Sequence, residues 1–188
     1  METLVPAFVA VLIAQLFDPP ARLAAVLGDR FPGRAGVFAG VALAQVAGFA
    51  LAAGGGAVLA AGISPSARTL VLALALLAAG GGGFLRLKLK DRLETWRIGG
   101  FATALLGVFI LAFGDRSQFL ALGFATWGGS PGLALAGAGV ASVAAGGVAV
   151  LLGERAWCGW PQRPARIAAA ALFLIAGLIL ALRALRLV

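Results

Sequence analysis

Six predominantly apolar runs follow one another along this chain: residues 4–27, 36–62, 67–85, 98–126, 133–153 and 167–182. About 20 apolar residues in a helix cross the ~30 Å hydrocarbon layer of a bilayer. Glycine and proline punctuate the gaps, as Phe31-Pro32-Gly33, Ser64-Pro65, Gly128-Gly129-Ser130-Pro131-Gly132 and Trp160-Pro161. The pattern predicts an all-α membrane protein with six transmembrane helices and no soluble domain. Glu2 stands where a signal peptide would be basic, so the first run reads as a retained helix.

The runs also repeat. A shift of 97 residues lays Asp18 on Asp115, Gly40 on Gly137, Ala44 on Ala141 and Val46 on Val143. The expected units are a first three-helix repeat over 1–85, a basic connector over 86–97 and a second three-helix repeat over 98–188. Three is an odd number of crossings, so the second copy must enter the membrane upside down. Inverted repeats bring equivalent residues towards a common midplane.

Two of those residues are the aspartates, each inside an apolar run. An ionisable side chain at membrane depth costs about 2.5–3.5 kcal/mol on insertion scales and so marks a path or a partner. Pro19 and Pro20 follow Asp18, and Gly114 precedes Asp115, so both runs should break at the carboxylate. Broken backbone at that depth survives only where protein or a cavity satisfies it. Gln15, Ser117 and Gln118 flank the aspartates, and Gln45 and Ser142 occupy matched positions in the second and fifth runs. These side chains could surround a small ion. Arg22 is four residues after Asp18, at salt-bridge spacing, and Arg116 adjoins Asp115. On that count two arginines cancel two aspartates, and a structural ion-pair role stands beside the transport role.

Composition narrows the chemistry. The 188 residues are 62% hydrophobic, with a mean hydropathy of +1.04, which fits an integral membrane protein. The net charge of +8 resides in loops rather than on one folded face, so nucleic acid is not an expected partner; the lipid bilayer is. Histidine is absent and cysteine occurs once, which excludes a histidine or Cys₄ zinc site and leaves oxygen ligands for hard ions. No nucleophile–base pair is evident, so an enzyme is not expected. Ten basic residues, among them Arg30, Arg34, Lys88, Arg97, Arg155 and Arg166, fall on one side of the alternating loops and three on the other. That bias places the connector in the cytoplasm and both termini outside, compatible with a bacterial inner membrane. All four tryptophans lie near the ends of runs, where headgroup positions are expected.

The segment Gly114-Asp115-Arg116-Ser117-Gln118-Phe119, followed by spans rich in small residues, resembles the second half of the GDT-one family. Such proteins have six spans in two inverted three-helix units, each with a Glu-x-Gly-Asp-Lys-Thr/Ser motif. Here Gly114, Asp115 and Ser117 match that motif, Arg116 stands for the lysine, and Ala112 occupies the glutamate position. In the first copy Asp18 matches, and Gln15 stands for the glutamate. The resemblance implies export of Mn²⁺ or Ca²⁺ in exchange for protons, with Asp18 and Asp115 as metal ligands and Gln15, Ser117 and Gln118 assisting. No cofactor beyond the transported ion is implied. Two alternatives remain at this stage: a zwitterion or small organic solute as cargo, and a non-transporting scaffold that binds a partner. Self-association is left open.

Overall fold

The computed structural model describes residues 2–84, 93–159 and 162–187. Among them lie the helices α1 (Leu4–Gln15), α2 (Pro19–Arg30), α3 (Arg34–Gly62), α4 (Pro65–Phe84), α5 (Gly100–Ala112), α6 (Arg116–Trp127), α7 (Pro131–Cys158) and α8 (Gln162–Ala184), and no strand. Helices α3, α4, α7 and α8 are each long and apolar enough to cross a membrane. The first and fourth apolar runs are not single rods. Helices α1 and α2 meet at 63°, α5 and α6 at 68°, and each bent pair together is long and apolar enough for one broken span. Counted so, the described residues hold six spans, as the six apolar runs predict.

The two breaks have different causes. Proline cannot donate to a helix, and its ring forces the preceding residue out of the helical region. Asp18 accordingly takes φ −88°, ψ 148°, and Pro19 opens α2. In the second copy Gly114 adopts φ +73°, a conformation costly for other residues, and Asp115 follows with ψ 170°.

The halves match element by element. Adding 97 to the bounds of α2 gives those of α6, and the first residues of α3 and α4, Arg34 and Pro65, map to Pro131 and Gln162, which open α7 and α8. Contacts swap in the same way. A β-carbon on Gly80 would lie 2.7 Å from Leu174, and one on Gly177 would lie 2.9 Å from Leu77. Gly40 abuts the Phe101 carbonyl, and Gly137 that of Leu4. Along the α4–α8 seam the residue numbers run in opposite senses, so these counterparts are antiparallel and the repeat is inverted. Lipid offers no hydrophobic drive for helices to associate, so close backbone approach at glycines carries much of the packing.

The interior is layered. One apolar cluster includes Ala10, Val11, Phe49, Leu72, Leu120 and Ala138. Another includes Leu23, Leu27, Val37, Val41, Val108 and Val150. Between them the chain passes through a buried polar layer: Gln15 and Asp18, then Gln45, Ser117 and Ser142.

At the end of the bundle where α2 stops, the Arg30 guanidinium donates to the carbonyls of Leu93 (2.6 Å), Glu94 (2.8 Å) and Trp96 (3.2 Å), tying the end of the connector to α2. Most of the basic connector, with Arg86, Lys88, Lys90 and Arg92, lies outside the described residues, as does Trp160. Trp157 departs from the expected headgroup position. It is 8% exposed and packs in the core with Leu27 and Val150, because α7 bends at Gly153 (φ +74°) and turns its last residues inwards.

One contact lacks its counterpart. Helix α4 packs against α6, with Gly123 against Leu72 and Ala75, whereas α8 makes no comparable contact with α2. The residue matched to Gly123 is Val26, and the one matched to Ala75 is Leu172. Bulkier side chains thus replace the small ones that let α4 close in. Beside the separated pair lies a cleft of about 380 Å³, bordered by Leu16, Phe17, Leu152, Trp157, Gln162 and Ala165.

Candidate functional site

Both aspartates are N-caps, and their side chains do different things. Asp115 caps α6: Oδ1 accepts from the Gln118 backbone N–H at 2.8 Å and from the Ser117 hydroxyl at 2.8 Å. Gln118 reaches back, its Oε1 accepting from the Gly114 N–H at 3.0 Å. The arrangement is a variant of the capping box, with the glutamine reaching the residue before the cap. Asp18 makes no side-chain cap bond. Pro19 and Pro20 at the first two helical positions have no N–H to offer, and the Ala21 N–H, counterpart of the Gln118 donor, is not used. The Asp18 carboxylate pairs elsewhere.

Its partner comes from the other half. Arg116 Nε donates to Asp18 Oδ1 at 2.6 Å, and Arg116 Nη2 contacts the same oxygen. Asp18 is 2% exposed, so this is a buried, charge-assisted pair. Expectation and structure differ here on both arginines. Arg22 does not pair with Asp18; it lies 3.8 Å from Glu154 at the end of the bundle. The spacing rule assumed an intact helix, and Asp18 sits at a break, where four residues no longer mean one face. Arg116 pairs not with its neighbour Asp115 but across the halves.

A second strand of contacts joins the copies. Gln15 Nε2 donates to Gln45 Oε1 (3.3 Å) and to the Ser117 hydroxyl (3.2 Å), which in turn donates to Asp115. One buried chain thus runs Gln45–Gln15–Ser117–Asp115, and the adjoining Arg116 leads to Asp18. Ser142 stays out of it and donates to the Gly139 carbonyl of its own helix at 2.9 Å.

The network is incomplete in a particular way. Gln15 Oε1, Asp18 Oδ2 and Asp115 Oδ2 are buried acceptors without a hydrogen-bond partner among the described residues. Buried polar atoms are rarely left so. Three oxygens, two from carboxylates, suit a hard cation or protons. No group of three or more acidic, histidine or cysteine side chains occurs among the described residues. The orphaned oxygens are therefore mixed, two carboxylate and one amide. Gln118 Nε2 is also unpartnered; it faces Gly48, where a β-carbon would collide with it. Gly48 is a site residue that pattern reading missed, because its role is to leave room for a side chain 70 positions away.

Among known proteins, residues 100–187 match the family model described as divalent cation/proton antiporter GDT1. No curated protein and no solved structure matches the chain. The matched stretch holds Gly114, Asp115, Arg116, Ser117 and Gln118 and the whole second broken span, and over this second half the chain is similar to the GDT1 family of divalent cation/proton antiporters.

Proposed function

We propose that the protein exports a divalent cation, Mn²⁺ or Ca²⁺, in exchange for protons, with Asp18 and Asp115 as the shared binding groups. The single observation that carries this reading is the set of buried acceptor oxygens left open on Asp18, Asp115 and Gln15 where the two broken spans meet. Protons and the cation compete for the same carboxylates, so a proton gradient can drive the cation out. Gln15, Ser117 and Gln118 hold the two aspartates in place.

In this reading the approach to the site is from the cleft bordered by Leu16 and Phe17, the residues that precede Asp18 in the chain. It lies at the end of the bundle that carries Arg30, Arg155 and Arg163. By the bias of basic loops that end faces the cytoplasm, and the arrangement is a cytoplasm-facing one. The opposite end is closed by α4 on α6. In an inverted repeat, rocking one half against the other would exchange these two arrangements.

The test is transport in proteoliposomes with an imposed pH gradient. Wild type should move Mn²⁺ or Ca²⁺, and Asp18→Asn and Asp115→Asn should each abolish the flux while leaving a folded, monodisperse protein. Movement of neither ion at any pH would discard the proposal.

A further inference from the structure

Asp18 and Asp115 with Arg116 carry one negative charge when both carboxylates are ionised. This corrects the even balance that counting both arginines suggested, because Arg22 is engaged elsewhere. A divalent cation added to this trio leaves a net positive charge in a buried layer. The same cation with the guanidinium moved away leaves none. Uncompensated charge in a low-dielectric interior is heavily penalised, so the two occupancies of Asp18 exclude each other. Two guanidinium nitrogens share Asp18 Oδ1 while Oδ2 stays open, so the competition is one of charge rather than of space.

The arginine, while paired with Asp18, already rests in a trough. On α4, Gly82 and Gly83 lie against its stem and tip: β-carbons there would come within 3.1 Å of Arg116 Cδ and 3.5 Å of Nη1. In the matched positions of the other copy, Arg116 is replaced by Pro19, and the two glycines by Ile179 and Leu180. Arginine and trough occur together on one side and are lost together on the other.

We propose that Arg116 is a tethered counter-ion, holding Asp18 in the absence of cargo and competing with a divalent cation for that carboxylate. This rests on the antiport reading for the nature of the cargo. Cation arrival displaces Arg116 from Asp18, and its return helps expel the cation, so release does not depend on protons alone.

The experiment is Mn²⁺ binding to the full chain in nanodiscs, read by electron paramagnetic resonance of the free ion. Arg116→Gln should bind Mn²⁺ at least about tenfold more tightly than wild type, since the competitor is gone. Arg116→Lys keeps the charge but makes a single contact, so it should tighten binding by a smaller factor; it carries the test if the glutamine variant does not fold. Affinity unchanged or weakened in the folded variant overturns the proposal, as does absence of binding in wild type and variant alike. Tighter binding by Arg116→Gln in a protein whose wild type shows no proton-coupled flux would sink the antiport reading alone. Flux in wild type without tightening in the variant would sink the counter-ion alone.

Discussion

Ser117 shows how much a single hydroxyl can carry. It accepts from Gln15 and donates to Asp115, so it links the two copies of the polar layer beside the Arg116–Asp18 pair. Removing it leaves a buried amide donor and a carboxylate oxygen each short of a partner, a loss of about 1–3 kcal/mol. Ser117→Ala should lower the melting temperature in detergent and also reduce transport; stability equal to wild type would mean the hydroxyl is not the link described. Residue types at the site were legible in the sequence, since carboxylates and amides stand out in apolar runs. Their partners were not. Sequence spacing assigns Arg22 to Asp18 only along an unbroken helix, and the prolines that reveal the break are what invalidate the assignment.

At the scale of the element, the broken spans follow from local backbone chemistry, and the two copies solve the problem differently. Proline forces the first break, whereas a left-handed glycine permits the second. Gly114→Ala should therefore cost about 1–2 kcal/mol, the price of left-handed backbone for an ordinary residue. Gly132→Ala, at the start of α7 with open space around it, should cost nothing measurable in the same thermal melt. Equal effects of the two would show that the conformation at Gly114 is not under constraint. Spans, their number and their breaks were all readable, because they depend on residues close in sequence. The inward turn of Trp157 was not, because it depends on how α7 packs after Gly153.

For the whole molecule the informative feature is departure from symmetry. Two copies obey one two-fold relation at Gly80 and Gly177, and again at Gly40 and Gly137, yet α4 closes on α6 while α8 stands off from α2. This predicts unequal access. With the native thiol removed by Cys158→Ala, Leu152→Cys should react readily with a membrane-impermeant reagent applied at the end bearing the basic loops. Its counterpart Gly55→Cys should react slowly from the opposite side. Addition of Mn²⁺ with a proton gradient should narrow the difference, as the population shifts towards the other arrangement. Equal labelling of both positions would mean that the asymmetry has no bearing on access.

The sequence alone determined the membrane class, the six crossings, the repeat with its inversion and the two carboxylates at its centre. Each of these rests on hydropathy, parity or backbone restriction, which act over short stretches of chain. Tertiary structure alone decided that Arg116 reaches Asp18 rather than Asp115, that Gln15 turns to Ser117, and that α4 closes on α6 while α8 stands off from α2. Those outcomes depend on which side chains meet when two bent spans cross, and on whether a glycine or a valine stands at the crossing.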